Sequence, residues 1–470
     1  MATKNRKTLA PRKRTHEGAP AANASLVEQL RRSVMSCLLW EDEFYEDGVK
    51  ISDRISQLAT KVAPHTLADI AVEARSEQHL RHVPLLLLYE LTKTGASVPG
   101  LVTNAIASTI QRADEMGEFL AIYKAKSKGK MKLSAQTKKG LAAAFAKFDE
   151  YQLAKWNRDN ADFKVRDVMF LVRPHPLAAI DKIDREKGKI KTPRRVNKEM
   201  KARAELQRRV ADKMLQTPDT WEVALSGGAD KKETFERLIR EENLGYFALL
   251  RNLRNMEEAG VDMKLVNDAI RARKNGAHRI LPFRFTAAAR AAPRFERALD
   301  DALCANIEAM PALPGTTVVL VDVSGSMDVK LSGKSDLTRM DAAATLAAVV
   351  HAEDLRVFTF SNSLVETKAR RGMAGVEEIV RSQPHGGTRL GAAVEEIKRK
   401  IDFDRLIVIS DEQAHDLVRS PIAVKGEQTA YMINVASAQN GVGYRNGWVH
   451  IDGFSEAVLK FVAANEGLTD

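Results

Sequence analysis

The chain has 470 residues, of which 44% are hydrophobic, and its formal net charge at neutral pH is +11. This length and composition are typical of a folded protein with two or three domains, and they exclude a largely disordered chain. The chain has only two cysteines, Cys37 and Cys304, which excludes a disulfide framework and a Cys-based zinc site and favours a reducing compartment.

The first segment, residues 1–22, is basic and contains no run of apolar residues. It therefore lacks the apolar core of a signal peptide, and we predict that it is a disordered tail. The longest apolar run, VPLLLLYEL at residues 83–91, is too short to cross a bilayer. These features predict a cytoplasmic protein without a membrane partner.

Residues 23–314 show the spacing of amphipathic helices. Leu26, Leu30 and Val34 recur at four-residue intervals after Ser25, which is a suitable N-cap. Similar patterns follow, joined by short links that contain proline or glycine, and no convincing strand occurs before about residue 315. The region is therefore predicted to be all-α, and its successive helices are typical of a solenoid, although no clean sequence repeat is present.

Basic residues are concentrated in this helical region, whereas residues 316–470 carry a slight acidic excess. Residues 123–139 contain seven lysines and no acid, and residues 155–176 mix basic side chains with Trp156 and Phe163. Lysine and arginine neutralise phosphates, and aromatic rings stack on unpaired bases. For a single residue the alternative is a solvated helix face, and for Trp156 a place in the core. The cluster as a whole favours nucleic-acid binding.

The stretch from residue 316 to residue 330 runs from an apolar, β-branched strand into a DxSxS sequence. Asp322, Ser324 and Ser326 put hard oxygen atoms at alternate positions of one turn, where Gly325 lets the backbone bend. Such oxygen donors are what a small divalent cation such as Mg²⁺ requires. The alternative is a polar turn that binds no ligand.

Two further loops carry residues with oxygen atoms that could bind the same cation. Thr388 lies behind two glycines and directly before an amphipathic helix, and Asp411 follows another apolar strand, DRLIVIS. In an open parallel sheet, such loops meet at the carboxyl edge, where ligands bind. We therefore predict a doubly wound α/β domain over residues 315–470, with a site for one divalent cation.

These five positions resemble the metal-ion-dependent adhesion site of von Willebrand factor A domains. The resemblance implies that Ser324 and Ser326 bind the metal directly and that Thr388 binds it directly or through water. It also implies that Asp322 and Asp411 act mostly through water.

The order of a basic helical region and an A domain resembles the Ro ribonucleoprotein family, whose helical part is the TROVE module. The residues that carry this resemblance are RDVMFLVRPHP (166–176), GYFALLRNLRNM (245–256) and HRILPFRFTAA (278–288), followed by LVDVSGSM, PHGGT and VISDEQ. The resemblance implies a monomeric multidomain chain. Its residues 23–314 would form a ring of HEAT-like helix pairs, closed by the A domain over residues 315–470.

The resemblance also implies a function. Ro proteins bind single-stranded 3′ ends of misfolded RNA and small structured Y-type RNA, and bacterial members act with an exoribonuclease, polynucleotide phosphorylase. Arg173 stands where many members have a histidine that contacts RNA, and His175 follows two residues later. The predicted RNA-binding residues are Lys155, Arg158, Arg166, Arg173, His175, Arg251 and Arg254.

No motif for catalysis is present in the sequence. The chain has neither a phosphate-binding Walker loop nor a GxSxG nucleophile elbow. The hydroxyl-rich site at Asp322 offers too little negative charge for the paired metals of a nuclease, so we expect no enzymatic activity. The alternative function is a protein–protein adaptor, in which the A domain binds an acidic residue of a partner through its metal and the helical part is a scaffold.

Overall fold

The computed structural model describes residues 13–37, 47–157, 161–174, 198–280, 282–308, 312–331, 337–421, 428–444, 447–453 and 457–468. The chain forms two compact units, one made of Met1–Ile55 and Asp230–Asp470 and the other of Ser56–Ala229. The first, which contains the β-sheet, is called the sheet unit, and the second is called the helical unit.

The helices before residue 230 lie in the sheet unit up to Ile55 and in the helical unit after it. They are α1 (Leu26–Met35), α2 (Gly48–Ala59), α3 (Pro64–Ser76), α4 (His82–Thr94), α5 (Leu101–Thr109), α6 (Ala113–Lys126), α7 (Ala135–Phe145), α8 (Glu150–Lys155), α9 (Val165–Val172), α10 (Lys198–Ala211) and α11 (Trp221–Ser226). In the helical unit, α3 packs on α4 and α5, α4 on α6, and α5 on α7. Every residue from Val83 to Leu91 of α4 is buried, as expected of a helix that is apolar on all sides.

Within the described residues from 230 onward, six α-helices precede the sheet, and they belong to the sheet unit. They are α12 (Lys231–Arg240), α13 (Tyr246–Arg251), α14 (Leu253–Glu258), α15 (Met263–Ala272), α16 (Phe283–Ala291) and α17 (Glu296–Glu308). In the same unit, the predicted N-cap of α1 is confirmed, because the Ser25 side chain accepts a hydrogen bond from the Glu28 amide at 3.2 Å. The helix-rich first part of the chain agrees with the predicted fold class.

In the described part of the chain, the sheet has six strands in the order β3-β2-β1-β4-β5-β6. They are β1 (Leu313–Asp322), β2 (Ala352–Phe360), β3 (Leu364–Thr367), β4 (Arg405–Ser410), β5 (Thr429–Asn434) and β6 (Val449–Asp452), with helices α18 (Arg339–Ala348), α19 (Gly372–Val380), α20 (Leu390–Lys400) and α21 (Ala457–Asn465). All neighbours pair in parallel except β2 and β3, which are antiparallel. Residues 318–321 and 406–409 are completely buried, which is typical of parallel strands covered on both faces.

The prediction of a disordered tail is wrong for residues 13–22, which pack on the sheet unit. The Thr15 hydroxyl donates to the Ala414 carbonyl at 2.8 Å, the Ala22 amide donates to the Gly441 carbonyl at 2.9 Å, and Ala19 is buried in the apolar core. The segment packs on the sheet unit because its small apolar residues and its backbone hydrogen bonds outweigh its charge. Residues 1–12 lie outside the described residues.

The predicted domain boundary at residue 314 coincides with the start of the strands, since β1 begins at Leu313. The boundaries between the compact units lie after Ile55 and after Ala229 instead. The helices just before the sheet belong to the sheet unit because they pack on its helices, α16 on α18 and α17 on α19. The HEAT-like ring concerns the arrangement of the units and stays a prediction, as does the assignment of the sheet region to the von Willebrand A family. None of the helices within the described ranges is long and apolar enough to span a membrane.

Candidate metal site and candidate nucleic-acid surfaces

Two acidic residues lie at the carboxyl edge of the sheet. Asp322 ends β1, and Asp411 directly follows β4, which pairs in parallel with β1. Both side chains are buried. The strand order reverses here, from β2 on one side of β1 to β4 on the other, and open α/β sheets bind their ligands at such a point.

The environment of these two carboxyl groups disfavours their charged forms. Burial, together with repulsion from Asp411, raises the pKa of Asp322 to about 7. Burial also raises the pKa of Asp411. Hydrogen bonds partly compensate at Asp322, from the Ser410 hydroxyl at 2.5 Å, from the Ser324 amide at 2.9 Å and from the Ser324 side chain. Two neighbouring buried carboxylates are favourable only when a proton or a cation neutralises part of their charge.

The predicted hydroxyl ligands lie next to this pair. The Oγ atoms of Ser324 and Ser326 are 3.2 Å apart, and Ser326 is hydrogen-bonded to the carboxylate of Asp411. The Gly325 amide donates to the Gly386 carbonyl at 2.8 Å, which joins the DxSxS turn to the loop of Thr388. The structure therefore brings the three predicted loops together.

Thr388 is held in place by His415. Its amide donates to Nδ1 of His415 at 2.9 Å, and its carbonyl accepts from the His415 amide, also at 2.9 Å. Thr388 itself is 2% exposed. The sequence patterns point to neither His415 nor Ser410, although both lie within four residues of Asp411.

The donor set fits one small divalent cation. Two carboxylates and three hydroxyls are hard oxygen ligands, and the carboxylate pair supplies charge for a cation to neutralise. Within the described ranges, no group of three or more His, Cys, Asp or Glu side chains is arranged to hold a metal. A cation at this edge would therefore depend on Ser324, Ser326 and Thr388, and it would supply a Lewis-acidic position for an incoming carboxylate.

A buried ion pair supports the loop that carries Asp411. Arg32 of α1 is 1% exposed, and its guanidinium lies 2.6 Å from the carboxylate of Glu412. It also donates to the carbonyls of Ala438 at 2.7 Å and Asp411 at 3.2 Å. Burial opposes ionisation of Glu412, but Arg32 and His450 hold its pKa well below the usual range. Helix α1 is thereby tied to the candidate metal loop.

In the helical unit, a tryptophan at the end of α8 is surrounded by cations. The Arg112 guanidinium lies 3.6 Å from the centroid of the Trp156 ring, and the Lys155 amine lies 5.7 Å from it. The residue is half-buried, so part of its ring faces solvent. A partly exposed ring flanked by cations is suited to stacking on an unpaired base.

An open cleft of about 710 Å³ adjoins this tryptophan. Lys155, Trp156, Lys164 and Arg166 contribute to its lining. Arg166 donates to the Ala211 carbonyl at 2.8 Å and lies over an exposed phenylalanine, Phe170, at 4.9 Å. The cleft therefore combines positive charge with aromatic surface, the two features that single-stranded nucleic acids require.

The other predicted RNA-binding residues are distributed as follows. Arg173 follows α9 and is exposed, with a left-handed backbone at φ 49°. Arg158 and His175 lie outside the described residues. Arg251 and Arg254 belong to the sheet unit, where Arg254 donates to the Ala291 carbonyl at 3.2 Å. The structure thus brings Lys155 and Arg166 to one cleft and places Arg251 and Arg254 in the other unit.

Comparisons with known proteins give two findings. The model of the TROVE domain family matches residues 191–329. The crystal structure of the Deinococcus radiodurans RO (RSR) protein is similar to this chain with a TM-score of 0.56 and 17% sequence identity, and the alignment covers 95% of this chain and 100% of that one. At this identity the likeness concerns the fold. A search of curated proteins finds no match.

Proposed function

We propose that this chain, which matches the TROVE domain family over residues 191–329 and is similar in fold to a RO protein, is a Ro-like protein that binds RNA through the basic, aromatic cleft of its helical unit. The observation that carries the proposal is the grouping of Lys155, Trp156 and Arg166 around one open cleft. Cations there can bind the phosphates of a single strand while the indole stacks on a base. RNA is the partner that the TROVE match and the Ro fold support.

The finer part of the proposal follows the resemblance to Ro proteins. The ligands would be single-stranded 3′ ends of misfolded RNA and a small structured Y-type RNA. The role would be quality control of non-coding RNA in the cytoplasm, together with an exoribonuclease such as polynucleotide phosphorylase. The chain would act as a monomer and as a binding protein without catalytic activity of its own.

A second candidate function is favoured by the buried carboxylates at the edge of the sheet. We propose that Asp322, Ser324, Ser326, Thr388 and Asp411 hold one Mg²⁺ ion. A partner protein could then supply a carboxylate to the open position of this ion. In that role the protein is an adaptor, and the two functions are compatible in one chain.

The RNA proposal predicts a preference for single-stranded ends and a steep salt dependence. A hairpin RNA with a single-stranded 3′ tail should bind more tightly than the same hairpin with a blunt end. The slope of log K against log salt concentration should be about −0.7 for each phosphate bound on the single strand. Fluorescence anisotropy with both labelled RNAs between 50 and 200 mM salt, roughly the range over which such interactions weaken, measures both quantities. Equal affinity for the two RNAs, or no dependence on salt, would contradict the proposal.

A further inference from the structure

Two arginines of the sheet unit share one exposed aromatic ring. Phe247 and Arg251 lie one turn apart on α13, and Arg284 lies at the start of α16, which packs on α13. The central guanidinium carbon is 5.7 Å from the centroid of the Phe247 ring for Arg251 and 5.5 Å for Arg284. Phe247 is 41% exposed, whereas the preceding Tyr246 is buried. Helices α13 and α16 therefore place two cations beside one exposed phenylalanine.

The arginine pair has no acidic partner within the described ranges, where neither guanidinium forms an ion pair. Burial and the like charge of Arg251 lower the pKa of Arg284. Several other arginines of the sheet unit are neutralised by carboxylates. Such pairs are Arg237–Glu241, Arg271–Asp301 and Arg290–Asp341. An anion bound to both guanidinium groups would relieve their repulsion and offset the cost of burying Arg284.

We infer that Phe247, Arg251 and Arg284 form a subsite for one nucleotide of single-stranded RNA. The planar guanidinium groups match the geometry of a phosphate, and the exposed ring offers a surface on which a base can stack. The inference rests on the proposed RNA-binding function. It adds a second binding position, because these residues belong to the sheet unit and Lys155 and Arg166 belong to the helical unit.

The neighbouring Arg254 differs from Arg251 and Arg284 in its hydrogen bonding, and this difference distinguishes the proposed subsite from a surface that is only basic. Its guanidinium donates to the Ala291 carbonyl at the end of α16, so part of its hydrogen-bonding capacity is used within the protein. The ring contacts of Arg251 and Arg284 leave their N–H groups available for a phosphate. The subsite therefore predicts a larger effect for Arg251→Met than for Arg254→Met.

The experiment measures binding of a labelled single-stranded RNA by fluorescence anisotropy over a series of salt concentrations. Arg251→Met and Arg284→Met should each weaken binding about 3- to 10-fold, and the double variant should reduce the magnitude of the salt slope by about 0.7, the value for one phosphate. Phe247→Leu should weaken binding about 5-fold or more while the salt slope stays unchanged, because stacking is removed and no charge is removed. Methionine retains an apolar stem for packing.

The matched control is the double variant Arg237→Met and Arg240→Met, which removes two carboxylate-paired cations of α12. It should keep the affinity and the salt slope of the wild type. Melting curves verify folding, and Arg251→Met keeps the test valid if Arg284→Met does not fold, because Arg251 is exposed.

The results of these binding measurements distinguish a failure of the subsite from a failure of the proposed RNA-binding function. If the double variant of Arg251 and Arg284 binds like the wild type while changes at Lys155 and Arg166 weaken binding, the subsite is wrong and the RNA proposal stands. If the wild-type protein binds no RNA, both are wrong. A loss of the same size in the control double variant also overturns the subsite, since it would show that net charge alone decides the affinity.

Discussion

An Asp322→Asn variant is expected to lose the stabilisation that Mg²⁺ gives to the wild-type protein. Ligand binding to the folded state stabilises by mass action, by about 2.7 kcal/mol at a hundredfold excess over the dissociation constant. For a domain of this size, that free energy corresponds to a rise in melting temperature of about 5–10 °C. Differential scanning fluorimetry with Mg²⁺ and with EDTA measures the rise. The variant should show none, because it lacks one of the two carboxylates that a cation would neutralise.

The control for this experiment is Asp402→Asn, which removes an exposed carboxylate of the same unit. It should keep the full response to Mg²⁺. Wild-type protein whose melting temperature does not respond to Mg²⁺ would favour the alternative, a polar turn without a ligand. A full response in Asp322→Asn would place the cation elsewhere.

An Arg32→Met variant is expected to lose about 3–5 kcal/mol of unfolding free energy, because it leaves the carboxylate of Glu412 buried without its partner. The side chains of Arg32 and Glu412 are 1% and 0% exposed, so water cannot replace the guanidinium. The carbonyls of Ala438 and Asp411 lose a donor in the same variant. Urea unfolding followed by tryptophan fluorescence measures the change, since Trp448 is buried in the same unit.

The comparison variant is Arg297→Met, which changes an exposed arginine on α17. Surface substitutions of this kind change the unfolding free energy by about 0.5 kcal/mol or less. If Arg32→Met lost no more unfolding free energy than Arg297→Met, the ion pair would not hold α1 to the loop of Asp411. A large loss accompanied by weaker Mg²⁺ stabilisation would show that this ion pair supports the candidate metal site.

The candidate metal site could be predicted because its residues follow apolar strands. Asp322 and Asp411 come directly at the ends of two strands that read as buried segments, and parallel strands bring their carboxyl ends to one edge. The helical character of the first part could be predicted for a similar reason, since apolar spacing and the Ser25 cap are local signals. The separation of helices and sheet near Leu313 follows from the same local patterns.

Interactions between distant parts of the chain could not be predicted. The sequence around Arg32 gives no sign that this arginine is buried, because its partner Glu412 is 380 residues away in the chain. The stacking of Arg112 on Trp156 and the pairing of Arg251 with Arg284 likewise depend on tertiary packing. The basic charge of residues 1–22 favours disorder, whereas the hydrogen bonds of Thr15 and Ala22 to remote loops have no sequence signal.

The most direct test of the central claim changes three cations of the helical unit, Lys155, Arg166 and Arg173, to glutamine and measures binding of single-stranded RNA by anisotropy. We expect the affinity to fall by about tenfold or more and the salt slope to become shallower by about 0.7 for each phosphate that the variant no longer binds. A control with the same change in net charge replaces three cations of α12, Lys231, Lys232 and Arg240, and should bind RNA like the wild type. Equal RNA affinity in the wild type and in the variant of Lys155, Arg166 and Arg173 would contradict the claim that this unit binds RNA through its cleft.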